Sequence, residues 1–229
     1  MSSSLDKLLE NPRVWRGHNQ AQRKAGLASG YPELDRYLPG GGWPPEALTE
    51  ILTEQYGIGE LRLLMPALAR LSAEDPQSAC SEPGWIAWVA PPFQPYPPAL
   101  QQSGIDLSRM LIVRPKDASE ILWSAEQALS SGTCAAVLFW TEKLDDQASR
   151  RLQLAAEKGH SWAIAFRPMT ARQQPSAAAL RLELHSSAQG TRVHILKSRG
   201  GRSTVLNNLL NLSHHPAWSR SSLCGHCDR

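Results

Sequence analysis

The sequence predicts an α/β fold: a mostly parallel sheet with helices on both faces and an antiparallel hairpin near the C-terminus. Three observations carry this reading. Strand and helix patterns alternate repeatedly from Ala47 to Phe166, the signature of a parallel sheet built from crossover units. The strand candidates are continuously apolar rather than alternating, as in strands covered on both faces. The last two, Leu180–His185 and Thr191–Ser198, are separated only by a short Ser-Ser-Ala-Gln-Gly turn, with no helix between them.

The chain has 229 residues and is 41% hydrophobic, enough for one sizeable core with room for arms at the ends. Residues 1–24 read as a polar N-terminal arm, 25–202 as the folded domain and 203–229 as a flexible tail. Within the domain, Leu27, Leu34, Tyr37 and Leu38 have helical spacing after Ser29-Gly30. The run Pro39–Ala47, with three glycines and three prolines, is a loop. Ala47–Leu52 forms the first strand and Gln55–Glu60 a glycine-containing turn. Leu61–Leu71 follows as a helix, with Leu61, Leu64, Leu68 and Leu71 on one face. Pro66 lies inside that helix and is expected to kink it or remove a hydrogen bond.

Trp85–Ala90 is the second strand. It exits into a proline-rich loop, with a helical turn at Tyr96–Gln102, before a third strand at Leu111–Val113. Asp117–Ser131 is an amphipathic helix, with Asp117 placed to cap it and Glu120 three residues on. Cys134–Trp140 is the most apolar strand and belongs at the centre of the sheet. Leu144–Gly159 is the next helix and Trp162–Phe166 the next strand.

Composition excludes several classes. The net charge is +3, from 24 basic and 21 acidic residues, which is not the dense basic surface of a dedicated nucleic-acid binder. No apolar run reaches the roughly 18 residues a membrane helix needs. The N-terminus lacks the basic-then-apolar order of a signal peptide. Two of the four cysteines, Cys80 and Cys134, stand alone in unrelated segments, which argues against a disulfide framework. The expected location is the cytoplasm. Neither G-x-S-x-G nor H-E-x-x-H occurs, and the seven histidines are scattered. A non-catalytic protein without cofactor or metal is expected.

The informative stretch lies between the first strand and its helix. A phosphate-binding loop there uses glycines to converge backbone N–H groups on phosphate, a lysine to reach the β- and γ-phosphates, and a hydroxyl to hold magnesium. Here Gly57-Ile58-Gly59-Glu60-Leu61 occupies the right place with the wrong chemistry. Glu60 stands where lysine is expected, and Leu61 replaces the hydroxyl. A carboxylate facing polyphosphate costs about 1 kcal/mol or more per charge pair even when screened. The strand Cys134–Trp140 also ends without a well-placed acid, Glu142 coming one or two positions late. The same residues equally suit a tight glycine turn with an acidic first helical residue.

The surrounding residues resemble the entrance to the RecA fold: Gly30-x-x-x-Leu34-Asp35, then Leu38-Pro39-Gly40-Gly41-Gly42, then Leu48-Thr49-Glu50. Glu46 stands where RecA-type proteins carry glycine. The run Gly57 to Leu68, with its helical Pro66, and Trp85 to Pro92 resemble a narrower group, the translesion-synthesis-associated ImuA proteins, related to the SulA division inhibitors. That resemblance covers roughly residues 25–202 and extends through Lys197-Ser198-Arg199-Gly200-Gly201. It implies a degenerate RecA-like core and a role as accessory to damage-induced error-prone synthesis, associated with the nucleoid when induced. Its implied partners are an ImuB-type inactive Y-family polymerase-like protein, an error-prone replicative-type polymerase subunit, and RecA. Two alternatives stand beside it. One is a SulA-like division inhibitor acting on the tubulin-like division protein; the other is a weak ATP-binding protein.

Further candidates for DNA or partner binding are Arg192, Lys197, Arg199, Gly200, Gly201 and Arg202, the densest basic segment. On a strand, Arg192, His194 and Leu196 share one face, with Val193, Ile195 and Lys197 on the other. So few positive charges imply at most weak, salt-sensitive DNA binding, and a solvated edge strand explains them equally well. Trp85, Trp88, Trp123, Trp140 and Trp162 read as core. Trp15, Trp43 and Trp218, in loops or tails, are the partner-binding candidates. Cys224 and Cys227 form half of a zinc site at the C-terminus, alongside the simpler reading of an unstructured tail.

Overall fold

In the computed structural model, residues 25–73, 84–187 and 190–210 are described. The N-terminal arm with Trp15, and Cys80, Trp218, Cys224 and Cys227, lie outside the described residues. The strands are β1 (Leu48–Thr53), β2 (Trp85–Val89), β3 (Met110–Val113), β4 (Cys134–Trp140), β5 (Trp162–Pro168), β6 (Leu180–Ser187), β7 (Gly190–Ser198) and β8 (Thr204–Leu210). They form one 8-stranded sheet in the order β3-β2-β4-β5-β1-β6-β7-β8. Every pairing from β3 to β6 is parallel, and β6-β7-β8 is antiparallel. The expected mixed α/β fold with a C-terminal antiparallel segment is therefore observed.

The helices are α1 (Pro32–Asp35), α2 (Glu60–Ser72), α3 (Pro97–Gln102), α4 (Ala118–Ser130) and α5 (Asp146–Lys158). On one face of the sheet, α2 and the segment around Leu34, Leu38 and Trp43 bury Ile51, Ile86, Leu138, Ile164 and Leu182. On the other, α4 and α5 bury Leu48, Ala87, Val137, Phe139 and Ala163. Two covered faces are why the central strands carry no polar alternation. Leu63, Leu64 and Leu68 of α2 are fully buried, each contributing about 1.5–3 kcal/mol of apolar transfer.

Helix α2 runs unbroken through Pro66. Pro66 has no N–H, so the carbonyl of Arg62, four residues earlier, loses its helical donor. The Tyr31 hydroxyl supplies one at 3.2 Å. The expected missing hydrogen bond is thus real, and a side chain from the opposite segment replaces it. Caps start the other long helices: Asp117 accepts from the amides of Ser119 and Glu120, and Asp145 from Ala148.

Four expectations need correction. The helical pattern at 27–38 yields only α1, because Leu27 pairs instead with Trp43 in an isolated antiparallel bridge. That bridge requires Gly42: a β-carbon there would lie 2.3 Å from the Leu27 carbonyl oxygen. Trp43 is not a partner-binding residue, since it is fully buried and tilted against Trp162 at 5.4 Å. Conversely, Trp85 and Trp123 are not core. They are 40% and 62% exposed, Trp85 opening its strand and Trp123 lying opposite the buried Ala125 and Leu129 stripe of its helix. Finally, the tail expected from residue 203 begins with strand β8, so the folded domain extends at least to Leu210. Its alternation is broken at Asn208, which adopts a left-handed backbone, φ 57°.

A buried charge cluster fixes the crossover from β5 to β6. Glu50 and Arg167 are fully buried, and Arg181 nearly so. Arg181 donates to Glu50 at 2.9 Å, and Arg167 lies 3.4 Å from the same carboxylate oxygen. Ser176 donates to the other Glu50 oxygen. Other guanidinium hydrogens go to the backbone carbonyls of Leu144, Ala171 and Gln174 and to the Gln174 side chain. Burial pushes the Arg167 pKa down and Glu50 opposes that shift. A buried pair of this kind depends on acceptors for its remaining donors, which the Leu144, Ala171 and Gln174 carbonyls supply, leaving the Arg167 Nε unpartnered among the described residues.

Candidate functional site

The site lies at the C-terminal ends of the parallel strands, where β1 passes into α2. Gly57 and Gly59 both have left-handed backbones, φ 87° and 108°. This lets the loop turn sharply and start the helix at Glu60 without a side-chain cap from Gly59. Gly59 is also sterically required, because a β-carbon would meet Leu210 at 2.8 Å and Thr191 at 3.1 Å. Thr191 of β7 donates its hydroxyl to the Ile58 carbonyl at 2.6 Å and pins the loop to the antiparallel segment.

Glu60 folds back over this loop. Its carboxylate accepts the Gly57 N–H at 2.8 Å, and the residue is only 5% exposed. An amide that a phosphate loop would turn toward its ligand is therefore taken by the chain's own acid, at the positive end of α2. Tyr56 beside it feels the local field. Burial, and then the carboxylates of Glu142 and Glu60, push its phenol pKa up. Glu142 is thus close enough to matter electrostatically, but it adds negative charge to the corner where polyphosphate would sit. Leu61 offers no hydroxyl. The chemistry disfavours a nucleotide triphosphate here and leaves a rigid joint.

Next to the joint opens an apolar cleft of about 330 Å³. Its floor and walls include Leu61 and Met65 of α2, Trp88 of β2 and Trp140 of β4. Trp88 and Trp140 contact each other at 5.5 Å, and Trp140 stacks on Phe166 at 4.7 Å. The Trp140 indole N–H is buried without a hydrogen-bond partner among the described residues. Its rim is the proline-rich loop after β2, with Phe93 and Tyr96 each 69% exposed. These two aromatics are the residues sequence reasoning missed. The prolines marked a loop, but only the fold shows that the loop lines a cleft with Tyr56 and Trp140.

The basic candidates do not converge on this cleft. Arg192 and Lys197 lie on β7, with Arg199, Gly200, Gly201 and Arg202 in the turn that follows it. The expected face for Lys197 is corrected by a bulge. Arg181 pairs with Lys197 but Leu182 with Ile195, so Leu196 is an extra residue. One inserted residue shifts the side-chain alternation, and Lys197 joins Arg192 and His194 on the face shared with Arg181. Its amine donates to the Ser176 carbonyl at 2.8 Å, and burial, Arg199 and Arg181 push its pKa down. Arg199 points elsewhere, 3.9 Å from Glu157 on α5. No group of three or more metal-ligating side chains forms among the described residues, and none of their helices is long and apolar enough to cross a membrane.

Fold and site together define a mixed α/β protein whose glycine loop after β1 is closed by its own carboxylate and whose strand ends carry an apolar cleft. The family model for the cell division inhibitor SulA matches residues 48–163, half of the chain, and the chain belongs to this family. It is 30% identical over 126 residues to the cell division inhibitor SulA of Klebsiella aerogenes, covering 55% of this chain and 70% of that one. It is 28% identical over 122 residues to that of Yersinia enterocolitica, covering 53% and 73%. Among solved structures, SulA from Pseudomonas aeruginosa aligns with 28% identity and a TM-score of 0.42, over 52% of this chain and 97% of that one. The matched segment contains the Gly57–Glu60 loop and every cleft residue named above. These findings overturn the leading expectation from sequence, an accessory role beside an ImuB-type protein, an error-prone polymerase subunit and RecA. The residues behind that expectation, Gly57 to Leu68 and Trp85 to Pro92, lie inside the segment that the division-inhibitor family shares.

Proposed function

We propose that this protein is a non-catalytic, cytoplasmic inhibitor of cell division that binds the tubulin-like division protein through the cleft between α2, β2 and the Phe93–Tyr96 loop. The carrying observation is the pairing of two features at one sheet edge. The loop amide is already occupied by Glu60, so the edge is suited to a protein rather than a phosphate. Beside it, an apolar hollow is rimmed by two exposed aromatics. Large aromatics that ring a dry hollow are what protein interfaces use as anchors. We read the scaffold as a RecA-type core whose phosphate loop survives as a structural joint. Membership of the division-inhibitor family supports the direction of this reading.

The test is expression in a rod-shaped bacterium together with binding of the purified protein to the division protein. Filamentous cells, and a complex weakened about tenfold or more when Phe93 or Tyr96 becomes alanine, are the expected outcome. Normal division during overexpression, with no complex formed, would overturn it.

A further inference from the structure

A second candidate site lies on the opposite flank, outside the segment matched by the family model. In β6 and β7, Leu182, Leu184, Val193 and Ile195 point into the core. Strand alternation therefore sends Glu183, His185, Arg192 and His194 to the other face. They form a compact set, since Glu183 lies directly opposite His194 and His185 opposite Arg192. Helices α4 and α5 pack on β1, β2, β4 and β5. Over β6 and β7 lie instead the 3-10 turn Met169–Gln173 and the segment after it, whose Gln174 and Ser176 carbonyls accept from Arg181 and Lys197, and Arg172 of the turn reaches the set. The result is a hollow of about 440 Å³ lined by Arg172, Glu183, His185, Ser186, Arg192 and His194.

The charges there are ordered around one buried carboxylate. Glu183 is 2% exposed. Its Oε1 lies 2.7 Å from Arg172 Nε, and its Oε2 lies 2.9 Å from His194 Nδ1 and 3.7 Å from His185 Nε2. With Nδ1 committed to Glu183, the other His194 nitrogen faces outward, 3.5 Å from the Ser203 hydroxyl. Glu183 thus orients the His194 imidazole through a hydrogen bond and holds the Arg172 guanidinium beside its other oxygen as an ion pair without hydrogen-bond geometry. It neutralises a single positive charge. Arg192 is exposed and has no ion pair among the described residues. Two guanidinium groups and two imidazoles converge against one buried acid, so the hollow carries an excess of donors and of positive charge.

We propose that this hollow is an oxyanion site for a phosphate group, either free or as a monoester. Guanidinium forks and imidazole N–H groups match tetrahedral oxygens and make the stronger, charge-assisted class of hydrogen bond. The donors are too many for the two oxygens of one carboxylate but suit the three terminal oxygens of a phosphate monoester. Arg192 is the ligand-facing cation, and Arg172 and His194 are positioned by Glu183.

The experiment is calorimetric titration of inorganic phosphate into the full chain at constant ionic strength, repeated with adenosine 5′-monophosphate and with chloride. Saturable phosphate binding that weakens about tenfold or more in Arg192→Ala is the expected result. Circular dichroism confirms folding of the variant, whose altered residue is a surface one. Trp123→Ser, an exposed change on α4 away from both sites, serves as a second variant and leaves phosphate binding unchanged. Tighter binding of the nucleotide assigns a monoester, and equal binding assigns the free ion. No saturable heat, equal binding of chloride, or binding indifferent to Arg192→Ala would each overturn the proposal.

Discussion

The carboxylate of Glu60 accepts the backbone N–H of Gly57 at 2.8 Å, across the loop that joins β1 to α2. One residue thereby settles the character of the strand edge. It satisfies a backbone amide of the turn, it places negative charge at the positive end of a helix, and with Glu142 it sets negative charge around Tyr56. What remains for recognition is the apolar cleft alongside.

Replacing Glu60 by alanine removes a charge-assisted hydrogen bond and a favourable helix-end charge, and should destabilise the fold by about 1–2 kcal/mol. Glu60→Lys restores the residue type of a phosphate loop but not its function, because Leu61 and Glu142 remain. Thermal denaturation checks the first expectation. Calorimetry with magnesium and ATP checks the second, for which the expected result is no saturable binding.

Tyr31→Phe leaves the Arg62 carbonyl without the hydroxyl that substitutes for the missing Pro66 amide. The expected cost is about 1 kcal/mol, with no change in the shape of the core. In the double variant with Pro66→Ala, the helix regains its own donor and most of that loss should disappear. Urea denaturation of the four proteins in this cycle measures the coupling.

Alkaline pH should loosen the Tyr56 corner. The folded-state phenol pKa is raised above its ordinary value of 10.0 by burial, Glu142 and Glu60. The unfolded chain therefore loses the proton first as pH rises. The associated stability is fully present below about pH 10 and is lost as pH climbs through the folded-state pKa. Tyr56→Phe removes this part of the pH dependence, which denaturation curves on either side of that value will show. Tyr31, also raised mainly by burial, contributes with the same sign.

Much of the architecture was legible in the sequence, for a physical reason. Strands buried on both faces, such as Cys134–Trp140, must be apolar throughout, and a cap such as Asp117 announces a helix start. The failures share a cause as well. Whether a tryptophan is buried depends on what covers its position, so Trp43 in a glycine loop is core while Trp123 on a helix is solvent-facing. The bulge at Leu196 and the left-handed Asn208 are local irregularities that no periodicity reveals. Of the site, the closed loop was visible because charge reversal at Glu60 is a one-residue signal. The cleft was not, because Tyr56, Phe93 and Trp140 meet only after the sheet is ordered.

The two tryptophans offer a direct check of that contrast. Trp43→Ala empties a fully buried site against Trp162 and should cost about 3–5 kcal/mol. Trp123→Ser should stay within about 0.5 kcal/mol of the parent. Denaturation midpoints distinguish the two outcomes.

Docking of the division protein in the cleft beside the Glu60-closed loop is the proposed role of this site. It is tested most directly by measuring the affinity of the purified tubulin-like division protein for the parent chain and for the Phe93→Ala, Tyr96→Ala double variant. The expected result is saturable binding by the parent and a loss of about tenfold or more in the variant, with its melting temperature preserved. Equal affinity of the folded variant, or no binding by the parent, would contradict it.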